Sequence, residues 1–170
     1  MRSIICKASL FLAAAILVVP AFAQSVAHPE TKTKLVGTWQ VQVTQVDCTS
    51  GTPLGPSFTS LLTFAQGGTM SEDTENPAFG HGQRGAGQGM WSSTGQSTYT
   101  AKSVALIKYT TQANPKTHDP GFDAGQQTIS QNITFDDQSG QWSSKASVTF
   151  TDATGTAYRQ GCATASAAPF

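Results

Sequence analysis

The chain has 170 residues, with ten Lys and Arg against ten Asp and Glu, and charged residues make up only 12% of it; about 25% is usual. With no basic stripe to neutralise phosphates, nucleic acid and anionic membrane surfaces are poorly supported as partners. Polarity comes instead from Ser, Thr, Gln, Asn and Gly, which suit strands and turns, so coiled coils and helical repeats are excluded too.

Arg2 and Lys7 flank the start of an apolar run from Leu10 to Val19, which ends near Ala21-Phe22-Ala23. This is the pattern of an export signal over residues 1–23, and the run is too short to span a bilayer. The expected destination is the periplasm or the extracellular space, with no membrane insertion. Residues 24–34, with His28-Pro29 and alternating Thr and Lys, form an expected N-terminal arm. One domain is expected over residues 35–166, with a frayed tail at 167–170.

Within that domain apolar and polar residues alternate with period two, and no segment holds a helical period. The first strand is expected over 38–47, with Trp39, Val41 and Val43 in phase. The phase then switches to Val46 and Cys48, which suggests a β-bulge near Thr44-Gln45. Further strands are expected over 58–65, 69–74, 89–93, 97–109, 127–135, 142–150 and 156–165, eight in all. Turns at Gly67-Gly68, Thr94-Gly95 and Asp137–Gly140 are short and glycine-bearing, as hairpins require. The connections 49–57, 75–88 and 110–126 are long, whereas Asp152–Gly155 is short. In an up-and-down meander this alternation gathers the three glycine turns at one end and the long loops at the other. The expected fold is therefore all-β: an eight-stranded antiparallel up-and-down barrel with one mouth.

Cys6 lies in the export signal, so Cys48 and Cys162 are the thiols left to pair, and a disulfide is expected in an oxidising compartment. A two-Cys metal site lacks further ligands at suitable spacing, and neither a metal nor a cofactor is expected.

Gly37-Thr38-Trp39 at the start of the first strand and Arg159 in the last resemble the G-x-W motif and basic partner of the lipocalin and wider calycin barrels. The resemblance covers nearly the whole processed chain and implies that Arg159 packs over Trp39 at the closed end. There is no Thr-Asp-Tyr motif between later strands and no helix after the barrel, so the likeness is to a minimal bacterial-type relative and implies no ligand class. It also creates a conflict. If Trp39 lies opposite Arg159 in a simple ladder, Cys48 lies opposite Phe150 rather than Cys162. Either a strand end curls over the barrel, or Trp39 and Arg159 are not lateral neighbours.

At the mouth the first long loop offers Phe79, His81 and Arg84 among glycines, and another offers Lys116, His118, Asp119 and Phe122. Apolar rings beside a few donors suit a small apolar or amphipathic ligand, and Phe79, His81, Arg84, His118 and Phe122 are the candidate contacts. Gln131, Ser60, Ser103 and Ser144 suggest a partly polar lumen, whereas Phe58, Phe64, Phe135 and Phe150 would plug it. Glu72 shares phase with Met70, but the acidic cluster Glu72-Asp73-Glu75 suggests an exposed strand end. No G-x-S-x-G elbow or H-E-x-x-H motif is present, so catalysis is the lesser expectation. A barrel isomerase or cyclase is one alternative. A protein inhibitor using the arm, and hence a protein partner, is the other. Asn132-Ile133-Thr134 matches a glycosylation acceptor by coincidence.

Overall fold

The computed structural model describes residues 33–116 and 120–170. The expected export signal, the expected arm up to residue 32, His118 and Asp119 lie outside the described residues. The strands are β1 (Gly37–Val46), β2 (Phe58–Phe64), β3 (Thr69–Thr74), β4 (Arg84–Ser93), β5 (Thr98–Ile107), β6 (Gly125–Asp136), β7 (Gln141–Asp152) and β8 (Ala157–Pro169). Each pairs antiparallel with the next, and β8 returns to β1 to close the barrel. Closure leaves no strand edge unpaired.

The registers Phe64↔Met70, Ser93↔Tyr99 and Asp136↔Gln141 bring the three short turns to one rim. At that rim Trp39 also faces Pro169, across the seam where β1 meets β8. The long connections 47–57, 75–83 and 108–124 therefore lie at the opposite rim. Gly67 and Gly68 take φ near +90° in the β2–β3 turn, a conformation that glycine adopts without a Cβ clash.

Several boundaries differ from expectation for identifiable reasons. The β1–β8 register runs unbroken to Val46↔Cys162, so no bulge lies at Thr44-Gln45. Val46 points outward and is buried because the 47–54 segment folds over it, through the Val46↔Pro53 bridge. The register shifts instead between Arg84 and Gly87 and between Phe150 and Thr151. β4 starts at Arg84 rather than Gly89, its glycines serving close approach instead of a loop. β8 continues to Pro169 with Ala167 buried, so most of the expected tail is strand.

The disulfide Cys48–Cys162 is present, with Cα atoms 5.2 Å apart. Because Ala163 faces the interior, Cys162 faces out, and the bond pins the segment after β1 against the outer wall of β8. This resolves the ladder conflict: Trp39 faces Pro169, while Arg159 pairs with Phe150 near the other end of β8.

Two apolar clusters occupy the ends of the lumen. At the short-turn end Leu35, Trp39, Phe64, Trp91, Tyr99, Ile133 and Trp142 form a buried core. Edge-to-face contacts run from Trp39 to Trp142, on to Phe64 and then Trp91. Trp39 Nε1 donates to the Leu35 carbonyl at 2.9 Å, and Trp91 Nε1 to those of Ala65 and Thr69 at 3.0 and 3.1 Å. These bonds satisfy the indole N–H groups of Trp39 and Trp91 on burial, whereas Trp142 Nε1 is buried without a partner among the described residues. At the loop-rich end Ile107, Phe122 and Phe150 pack with Phe79 and Tyr158.

Candidate functional site

Between the two clusters, the inward positions of β7 and β8 are small. Ser144 faces Ala165, Ala146 faces Ala163, and Val148 faces Gly161. Such side chains stop short of the barrel axis and leave a cavity of about 410 Å³, within the range of about 300–1,000 Å³ typical of small-molecule sites. Val41, Val43, Ile129 and Val148 supply apolar wall, while Ser60, Glu72, Thr74, Gln127, Gln131 and Ser144 supply polar groups. The partly polar lumen foreseen from Ser60, Ser103, Gln131 and Ser144 is present, all four being buried. Phe64 and Phe135 belong to the short-turn core, Phe150 to the other cluster, and Phe58 lines the cavity.

Glu72 is not at an exposed acidic end. Its side chain is 5% exposed and pairs inside the barrel with Arg84, itself 4% exposed. Asp73, of opposite phase, takes the solvent side. Ser103 Oγ donates to Glu72 Oε1 at 3.3 Å and Thr74 Oγ1 to Oε2 at 3.1 Å. Arg84 Nε donates to Gln127 Oε1 at 2.5 Å, so one guanidinium ties a carboxylate to a carboxamide. Gly87 lies opposite Glu72 in the β3–β4 ladder, and a Cβ there would overlap the Glu72 carboxylate. Deeper in the lumen, Ser144 Oγ donates to Gln131 Oε1 at 3.1 Å.

The loop-rich end is roofed by rings. Phe79 and Phe122 centroids are 4.4 Å apart, and Phe122 and Phe150 are 5.2 Å apart. The Arg159 guanidinium carbon stands 4.7 Å from the Phe122 centroid, and its Nη2 donates to the Pro120 carbonyl at 2.9 Å. A cation held over ring faces is stabilised there by about 0.5–2 kcal/mol. Gln83, fully buried, stitches the two long loops. Its Oε1 accepts from Gly80 N at 2.8 Å, while its Nε2 donates to the Tyr109 carbonyl at 2.9 Å and to Thr111 Oγ1 at 3.1 Å. Thr111 in turn bridges Phe122, which places Phe122 over Phe79.

Of the candidate contacts, Phe79 and Phe122 meet at the roof and line the cavity. Arg84 is no mouth residue: it is drawn inward by Glu72 and stands behind the cavity wall. His81 is exposed and contributes only its carbonyl, which accepts from Tyr109 Oη at 2.7 Å. His118 lies outside the described residues. Arg159 caps Phe122 at the loop-rich end rather than Trp39 at the closed end. Sequence reasoning passed over Gln83 and Gln127. The phase shared with Ile129 and Gln131 marks Gln127 as inward, whereas nothing local marks Gln83. No group of three metal-ligating side chains occurs among the described residues. A larger depression of about 870 Å³ beside the disulfide is open to solvent and edged by Met90, Lys102 and Lys145, all exposed. The lumen is therefore the better candidate site, being the more enclosed of the two.

No family model, curated protein or solved structure matches the chain.

Proposed function

We propose that the protein is an exported carrier or receptor barrel that takes one small, mainly apolar molecule into its lumen through the loop-rich end. Enclosure carries the reading: a cavity of about 410 Å³ lies between an aromatic floor and an aromatic roof. Cores are normally filled to crystal-like density, and voids larger than a water are few, so a lumen kept open by Ser144, Ala146, Gly161, Ala163 and Ala165 suits an occupant. Export is supported by the disulfide, a bond that persists in oxidising compartments. A place among lipocalin-like barrels is supported by the closed eight-stranded meander and the Gly37-Thr38-Trp39 start, and the position of Arg159 counts against it.

Binding of the neutral dye N-phenyl-1-naphthylamine, read as fluorescence enhancement, tests the reading. Enhancement is expected for the native protein and is lost in Ala146→Phe, which fills the cavity. No enhancement, together with only the bare protein mass in native mass spectrometry of material from its own cells, would remove it.

A further inference from the structure

Resting on that reading, we propose that Glu72 and Gln127 form a recognition station for a neutral ligand group that both donates and accepts hydrogen bonds, a hydroxyl or an amide, on an otherwise apolar molecule. Both residues line the cavity and both are more than nine-tenths buried. Arg84 bonds to both and stands behind them, so its rigid fork fixes their separation. The bonding inventory shows what is left over. Glu72 Oε1 is occupied by Arg84 and Ser103, while among the described residues Oε2 accepts only from Thr74. A carboxylate oxygen has two lone-pair sites, and one on Oε2 has no partner among the described residues. The Gln127 oxygen is taken by Arg84, and its NH₂ has no acceptor among the described residues. An acceptor and a donor are thus presented to one cavity by two residues that share the Arg84 guanidinium. Gly87 keeps the space in which the carboxylate sits.

The same chemistry excludes other end groups. The Glu72–Arg84 pair is neutral overall, and its face toward the cavity is carboxylate oxygen, so a carboxylate ligand meets like charge. An alkyl end leaves the Gln127 N–H groups unpaired. A hydroxyl or amide satisfies both partners, and a buried polar pair left unmatched discriminates strongly.

Displacement of N-phenyl-1-naphthylamine by a medium-chain alcohol, primary amide, carboxylate and methyl-ended analogue of equal length tests this. The alcohol and the amide are expected to displace the dye at concentrations about tenfold lower than the other two, the effect of about one hydrogen bond. Glu72→Leu/Arg84→Met, which removes both charges together, is expected to abolish the preference while still binding dye. Gln127→Glu keeps the acceptor for Arg84 Nε and removes the NH₂, so the amide is expected to bind about tenfold more weakly. Equal displacement by all four compounds, or tightest binding of the carboxylate, overturns the station while leaving the cavity reading intact. Failure of the dye itself to bind overturns both.

Discussion

Glu72 shows how one buried charge constrains its neighbours. An ion taken out of water is strongly unfavourable unless it is paired and hydrogen-bonded, and here Arg84, Ser103 and Thr74 all serve that end. Glu72→Leu alone, which strands Arg84, is expected to lose about 3–5 kcal/mol in urea denaturation. The double variant Glu72→Leu/Arg84→Met is expected to stay near the native value, as apolar replacements of buried pairs often do. Gly87→Ala is expected to cost about 1–3 kcal/mol through overpacking against the carboxylate. The phase of Glu72 was legible from Met70 two residues earlier. Its burial was not, because two acidic neighbours argued for solvent and because the counter-ion lies in a stretch whose alternating glycines look like a loop. Those glycines belong to a strand: Gly89 runs so close to β5 that a Cβ would strike the Lys102 carbonyl. Reading glycine as flexibility hid both the strand and the partner.

At the level of elements, the eight strands were legible from alternation alone, and the third was read to its ends, 69–74. Ends failed where tertiary contacts override local pattern, as at Val46, which is buried by a covering loop and not by the barrel interior. The loops' cross-links were invisible in sequence because Gln83 bonds to residues far along the chain. Gln83→Ala is expected to loosen the roof, raising dye on- and off-rates in stopped-flow measurements more than it changes affinity. The turns carry a second consequence. The Asp152 carboxyl is held below its usual range first by the Thr154 hydroxyl, Asp136 by that of Ser139, Asp137 by Lys34 and Asp47 by the Ser50 backbone N–H. A lowered folded-state pKa means stabilisation that is present above the unfolded value and lost as pH falls through the folded one. The melting temperature is therefore expected to fall as pH drops below about 4, and Asp152→Asn should flatten that dependence.

Across the whole molecule, the sorting of short turns from long loops was legible because connection lengths alternate along a meander. The open lumen was not, since it depends on which small residues line up across β7 and β8, and that register emerges only on closure. Arg159 makes the same point: its motif position suggested the floor, and the ladder carried it to the roof. The bond between Cys48 and Cys162 spans 114 residues; Cys48 is exposed, while Cys162 borders the cavity. A chemical reductant can reach it through Cys48, and neither the aromatic roof nor the Glu72–Arg84 pair bonds to either cysteine. Adding dithiothreitol is expected to lower resistance to urea by about 2–4 kcal/mol and to leave dye affinity at room temperature unchanged. The redox state of the surroundings would thus govern how long the barrel lasts, and not the shape of the space within it.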